Sequence, residues 1–220
     1  MEWDWTYAID ILPKLLDGLK VTLLATLLGS LLAMILGLLV AVIRRSAPPS
    51  VRLPVIAVTD FIRSTPLLVQ LYVIFFMLPE VGIVLSPLTA GIIGIGVHYA
   101  CYTAEVYRAG IESIPREQWE AAKAVNLNRF QTWRYVIVPQ AVPPVIPALA
   151  NYVIGMFKET ALLSAITVVE LMTQARHIAN YTYRYLEPFT MVGVFFLALS
   201  IPAALAVAVL ERRYERRRGG

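Results

Sequence analysis

The chain has 220 residues, of which 58% are hydrophobic and 15% charged, with a formal net charge of +4. A soluble domain is nearer half apolar and a quarter charged, so the bilayer is the solvent for most of this chain and a separate soluble domain has no room. The pI near 9.3 is to be read by where the positive charge falls along the chain, and no nucleic-acid partner is expected from it.

The opening, Met1-Glu2-Trp3-Asp4-Trp5, is acidic and aromatic, so no cleavable leader is expected. Trp3, Trp5 and Tyr7 read as interfacial anchors ahead of the first span. A span needs about 20 mostly apolar residues. The first covers 20–43 and ends at Arg44-Arg45; a polar turn, 46–50, and Arg52 come next. The second covers 53–78 and carries Asp60, Arg63 and Pro66. Arg63 lies about ten residues in, or roughly 15 Å, near the bilayer midplane. Asp60 and Arg63 are three apart and can pair on one face. Thr65 reads as the N-cap, and Pro66 as the first residue, of a helix restarted at mid-depth. Such a start offers free N–H groups and a positive dipole end that suit a carboxylate. A proline kink with a structural ion pair is the alternative.

Residues 79–87 form a loop without Lys or Arg, and a third span covers 88–107. His98, Tyr102, Glu105 and Ala109 share a helix face there. Glu105 reads either as part of an internal gate or as an interfacial partner of Arg108. Residues 136–157 make a fourth apolar segment, expected to be broken by Pro139, Pro143, Pro144 and Pro147. Lys158, Glu159 and Thr160 come after it, either lining a cavity or forming a surface salt bridge. Residues 158–187 are mixed and tyrosine-rich; the last span covers 188–210 and ends in a basic tail. Tyr152, Phe157, Tyr181, Tyr183, Tyr185 and Phe189 could stack on a cationic solute.

Arg44, Arg45, Arg52, Arg116, Lys123, Arg129, Arg134 and the tail fall on one side, and the loop 79–87 on the other has no positive charge. An all-α membrane domain of about five spans, N-terminus outside and C-terminus inside, satisfies the bias of Lys and Arg toward the cytoplasm. The segment 158–187, with Lys158, Arg176 and Arg184, must then be external or re-entrant. Cys101 is the single cysteine, so no intrachain disulfide can form, and neither His98 nor His177 has a metal-ligand spacing.

The polar stretch between the third and fourth segments has its own local logic. Pro115 suits a first helical position, 116–125 are helix formers, and Asn126 can take the left-handed conformation that ends a helix. Asn128 with Gln131 forms a capping box for a second helix. Ala121, Ala122 and Ala124 make a thin, close-approach surface. Glu120-Ala121-Ala122, three residues, Asn126, nine residues and Val136-Ile137-Val138-Pro139 resemble the EAA loop of bacterial ABC-importer permeases, with Asn, Val and Val replacing Gly, Ile and Leu. Arg63-Ser64-Thr65-Pro66-Leu67-Leu68-Val69-Gln70 resembles the Arg-Gly-Thr-Pro stretch of polar amino-acid permeases, as do Ala104–Ile111, Gln118–Ala122 and Lys158-Glu159-Thr160. Pro139–Pro144, Phe157–Thr160 and Tyr185–Pro188 look most like ectoine/hydroxyectoine permeases.

The resemblance implies a type I importer fold over 1–220 in the bacterial cytoplasmic (inner) membrane, in contact with membrane lipid. It implies a cytoplasmic coupling loop at about 109–135 with Glu120, Ala121, Ala122, Asn126 and Pro139 as its coupling residues. A substrate path along Arg63, Ser64, Thr65, Gln70, Tyr102, Glu105, Lys158, Glu159 and Thr160 is expected. The partners implied are a cytoplasmic ATPase dimer, a second permease and an extracytoplasmic solute-binding protein. No Gly-x-x-x-x-Gly-Lys-Ser/Thr loop is present, so ATP and Mg belong to the ATPase and no cofactor is expected on this chain. The solute expected is ectoine or hydroxyectoine, with glutamine, glutamate or histidine as the alternative. An intramembrane enzyme would need a nucleophile and base, yet Ser164 has no His at a persuasive spacing; a passive channel would leave the EAA-like loop unexplained.

Overall fold

The computed structural model describes residues 3–218, and every regular element among them is helical. The first helix, α1 (Trp5–Ser46), is 42 residues long and starts at Asp4, whose side chain accepts from the Tyr7 amide at 3.1 Å. At 1.5 Å per residue this is about 63 Å, twice the hydrocarbon core. It begins well before the expected span because its first half is amphipathic. Asp10, Lys14 and Asp17 are exposed, while Ile11 and Leu15 are buried, packed with Leu171, Ala175 and Ile178 of a later helix. Trp5 is accordingly inside the helix rather than ahead of it.

In its second half α1 carries a small residue at every fourth position: Ala25, Gly29, Ala33, Gly37 and Ala41, all buried. These lie against α4 (Pro87–Glu112), which runs parallel to α1. A Cβ on Gly37 would fall 2.0 Å from Thr103 Oγ1 and 2.9 Å from the Ala100 carbonyl oxygen. The Thr103 hydroxyl donates across this seam to the Ala33 carbonyl at 2.9 Å. In lipid, close backbone approach of this kind holds helices together, since apolar side chains gain little by leaving one apolar medium for another.

Between them the chain makes a broken pass. Helix α2 (Pro49–Arg63) and α3 (Leu67–Tyr72) meet at 104°, and α3 runs on through a π turn (Val73–Met77) and a 3-10 turn (Leu78–Val81). The restart comes one residue later than expected: Pro66 is the N-cap and Leu67 the first helical residue. The Thr65 hydroxyl does not cap the new helix but donates back to the Ile62 carbonyl. Ser64 sits at φ −85°, a conformation open to any residue, so no glycine is needed there.

The loop stretch begins with α5 (Arg116–Ala124), for which Pro115 is the N-cap rather than the first residue. It closes with Asn126 at φ 57°, its amide bonded to the Lys123 carbonyl and the Leu127 amide to that of Ala122. This is the Schellman arrangement. Asn128 and Gln131 form the expected capping box for α6 (Arg129–Gln131). The prolines do not break the fourth apolar segment. A π turn (Thr132–Ile137) leads into α7 (Val138–Glu159) and a 3-10 turn (Thr160–Ile166), one apolar helix of 38 residues from Arg129 to Ile166. The wider π turn ahead of Pro139 makes room for its ring, and the Val138 amide reaches back to Trp133 instead.

Helix α8 (Leu171–Thr182) lies along the first half of α1: the Leu171 amide bonds Thr22 Oγ1 at 3.1 Å, and Tyr7 Oη meets Thr182 Oγ1 at 2.7 Å. Residues 158–187 therefore gather at the end of the bundle that holds the N-terminus. Of their positive charges, that of Arg184 is neutralised there. Arg184 sits 3.2 Å from Asp4 and 2.5 Å from Glu187, over the ring of Tyr7, and Arg176 donates to Ser164. The Tyr7 amide and Arg184 hold the Asp4 carboxyl below the usual range. Glu170 caps α8 with three accepted bonds, although burial pushes its carboxyl up.

The chain ends with α9 (Leu186–Arg218), parallel to α1, whose Glu211 and Tyr214 lie with Ser113 and Pro115 at the loop end. Asp4 and Tyr214 are thus at opposite ends of the bundle. Among the described residues three helices are long and apolar enough to cross a bilayer, four with the bent α2–α3 pair counted as one span, where about five were expected. The difference is α4. It is wrapped by α1, α3 and α7, so its surface meets protein, and its run of His98, Tyr99, Tyr102, Thr103 and Glu105 costs it the apolarity of a lipid-facing span.

The seam yields a direct test. Gly37→Ala forces backbone apart and destabilises the fold by about 1–3 kcal/mol, read as a lowered Tm in detergent. Gly193→Ala in α9, with nothing within 4 Å of the new methyl, leaves Tm unchanged or slightly raised.

Candidate functional site

The break between α2 and α3 is held by one side chain. Gln70 Nε2 donates to the Ile62 carbonyl at 2.7 Å, the Thr65 carbonyl at 3.1 Å and Thr65 Oγ1 at 2.7 Å. Its Oε1 is then the acceptor for His98 Nδ1–H on α4, at 3.1 Å. The carbonyls freed by the bend are thereby satisfied without water, as membrane depth requires. His98 is buried, and its ring begins a cluster with Tyr99, Tyr102 and Tyr152 in which neighbouring centroids are 5.2–5.9 Å apart.

Arg63, the last residue of α2, lies at one end of this cluster. Its guanidinium stands 5.4 Å from the Tyr102 ring centroid, 3.5 Å from Glu105 and 3.9 Å from Asp60. The expected Asp60 pair is thus the looser of its two carboxylate contacts. Glu105 is the hub: Arg44 of α1 meets it at 2.5 Å and Arg108 at 2.7 Å, and Arg108 also reaches Glu112 at 2.5 Å. One carboxylate thereby links α1, α2 and α4. Glu105 is seven residues from the loop end of α4, or about 10 Å, and Arg63 lies beside it. The expected pair of Glu105 with Arg108 is present, and Arg44 and Arg63 join it.

At the far end of the ring cluster is Glu159. Its Oε2 is buried without a hydrogen-bond partner, and the carboxylate lies beside the Tyr99 hydroxyl. Gly155 makes the room, since a Cβ there would sit 3.0 Å from Tyr99 Oη. The other two residues of that motif do not join it. Lys158 is exposed and forms no ion pair with Glu159, and the buried Thr160 hydroxyl is turned onto the Phe157 carbonyl at 2.6 Å. The structure therefore brings together Arg63, Gln70, Tyr102 and Glu105, places Glu159 across the tyrosines from them, and leaves Lys158 and Thr160 apart. His98 and Arg44 are the residues that sequence reasoning missed. The shared face of His98, Tyr102 and Glu105 was the signal for the first; Arg44 carried none beyond its charge.

In the loop, Glu120, Ala121, Asn126 and Pro139 are exposed, but Ala122 is 3% exposed. The expected alanine surface is split: Ala122 packs inward, and Ala121 and Ala124 face out. Val125 (68% exposed) and Phe130 (74%) flank the turn at Asn126. Large apolar side chains exposed together on a polar loop mark a contact surface. Beneath them the loop is anchored to α1. Arg45 stands 5.2 Å from the Trp119 ring centroid and 5.4 Å from that of Trp133, and the two indoles meet edge to face.

Comparison with known proteins agrees with this geometry. Residues 23–216 match the family described as binding-protein-dependent transport system inner membrane component. The probable amino-acid ABC transporter permease protein y4tG of Sinorhizobium fredii is 41% identical over 211 residues, covering 96% of this chain and 91% of that one. The glutamine transport system permease protein GlnP of Escherichia coli is 33% identical, with 97% and 98% covered. Among solved structures, the crystal structure of an amino acid ABC transporter with histidines superposes with a TM-score of 0.90 at 33% identity, covering 97% of this chain and 100% of that one.

The hub at Glu105 predicts non-additive stability. Glu105→Gln leaves Arg44 without a carboxylate and removes the closer of the two carboxylates of Arg63, and costs about 1–3 kcal/mol. Adding Arg44→Met recovers part of that loss, a coupling that a double-mutant cycle of Tm values reads directly.

Proposed function

This chain belongs to the family of binding-protein-dependent transport system inner membrane components, as a permease of an amino-acid ABC importer, and we propose that it passes a polar amino acid between Arg63 and Glu159. It is a transport subunit rather than an enzyme, and its family works with an ATPase and a substrate-binding protein.

The observation that carries the reading is the unpaired, buried Oε2 of Glu159. A carboxylate oxygen taken from water without a partner is costly. An ammonium arriving at Glu159 relieves that cost, while Arg63, standing on Tyr102, takes a carboxylate. A zwitterion satisfies both. Ectoine is also a zwitterion, but the support for it is thinner. Relatives bear names for amino-acid and glutamine transport, and two of the three stretches that look like ectoine permeases lie off the site. Pro143 and Pro144 line a cleft with Ser113 and Pro115, and Tyr185 stacks on Phe189.

The loop around 109–135 would dock on a cytoplasmic ATPase dimer, which holds ATP and Mg, through Glu120, Ala121, Val125 and Phe130. This sets the loop end inside and the N-terminus outside, as the charge bias asks. The helix that starts in the loop at Arg129 runs unbroken past Tyr152 and Glu159. A pull on the loop thus moves one wall of the solute path against α4, and Pro139 beside the π turn is where that lever flexes. A second permease, identical or homologous, completes the pair, with an external binding protein delivering solute. ATP-driven closure then shifts the population between outward- and inward-open states.

Arg63→Ala and Glu159→Gln each cost about 2–5 kcal/mol of solute interaction and nearly abolish uptake of glutamine or histidine, while the ATPase still co-purifies. Wild-type uptake by both variants refutes the path. Glu120→Lys and Ala121→Trp uncouple ATP hydrolysis from uptake in a protein that inserts normally. Ala122→Trp, filling a buried site, instead lowers Tm.

A further inference from the structure

The loop anchor borders two cavities. One, of about 380 Å³, lies on the loop and is lined by Arg45, Lys123, Arg129 and both indoles. The other, of about 590 Å³, is an apolar groove between α1 and α7, with Leu38, Val42, Val138, Val142 and Ile146 exposed along its walls. The two share Arg45, Arg129 and Trp133, so they meet there, and no acidic side chain lines either. Neither Arg45 nor Arg129 has an ion-pair partner among the described residues.

We propose that this groove is a binding site for an anionic phospholipid, one acyl chain lying between α1 and α7 and the phosphate held by Arg45 and Arg129. The dimensions fit. The α7 wall from Val138 to Leu149 is about 16 Å long, one leaflet of a hydrocarbon core of about 30 Å. The mouth lies at the loop end, where Trp133 and the basic residues belong at headgroup level. The Arg45 guanidinium lies over both indole rings and has no carboxylate partner among the described residues, so its N–H donors suit a phosphate. A protein partner would have to bring its own acidic groups to the positive charge at the mouth. An anionic lipid supplies both the charge and the chain, and it would tie the bilayer to the loop through Arg45.

The test is lipid quenching of the full chain carrying Trp3→Phe and Trp5→Phe, so that only Trp119 and Trp133 report. In phosphatidylcholine vesicles, phosphatidylglycerol with a dibrominated chain should quench at a mole fraction at least tenfold below that needed with dibrominated phosphatidylcholine. Arg45→Ala with Arg129→Ala should erase the preference, at roughly fivefold per arginine. Val142→Phe, which fills the groove and leaves the arginines, should weaken quenching by both lipids. Equal quenching of the parent chain by the two lipids overturns the proposal without need of any variant. So does a preference that survives loss of both arginines, or one abolished by adding the ATPase, which would make the groove part of that docking face. None of these readings depends on transport, so they stand or fall apart from the solute path.

Discussion

The structure depends on the seam of small residues between α1 and α4. In water, apolar side chains would drive these helices together; in lipid that drive is absent, and packing between backbones must supply it. Every fourth residue of α1 from Ala25 to Ala41 is glycine or alanine, and Gly37 lets Thr103 bond the Ala33 carbonyl across the contact. Once the two helices are parallel and in register, Arg44 comes level with Glu105 and the broken α2–α3 pass has a fixed wall to lie against.

That wall explains why α4 can be polar. It is covered by protein on most sides, so His98, Tyr102 and Glu105 pay no penalty to lipid and can bond what the broken pass leaves unsatisfied. Gln70 closes the bend and passes its remaining acceptor to His98; Arg63 ends α2 and turns to Tyr102 and Glu105. The bend is therefore a held geometry rather than a flexible joint. The exception is Glu159, which faces the same tyrosines with an unsatisfied oxygen. This buried, unsatisfied oxygen is what points to a ligand there.

The loop and the helix that carries Tyr152 and Glu159 are one continuous piece. The Schellman turn at Asn126 and the capping box at Asn128 set the angle at which the second loop helix starts, and that helix continues to Ile166. The π turn ahead of Pro139 is the local device that keeps that proline from cutting it. Arg45, clasped by two indoles, joins the same loop to α1, so a displacement at the turn is felt on α1 as well as on α7.

The sequence by itself determined the class. Apolar runs of span length, the one-sided arginines, the turn chemistry at Asn126 and Asn128 and the Arg63–Gln70 stretch are all local signals, and local signals survive without a fold. The alternating small residues of α1 were equally legible as an i, i+4 repeat, though unread. Tertiary structure alone decided the rest, because each case rests on what a residue meets. Proline spacing cannot show that a preceding π turn absorbs the missing bonds. Three alanines cannot show that Ala122 turns inward while its neighbours do not. An arginine count cannot show that Arg184 is neutralised by Asp4, 180 residues away, or that Arg44 and Arg63 converge on one carboxylate. Charge and polarity are properties of a residue, but their cost at membrane depth is set by the partner, and the partner is chosen by the packing of helices far apart in the chain.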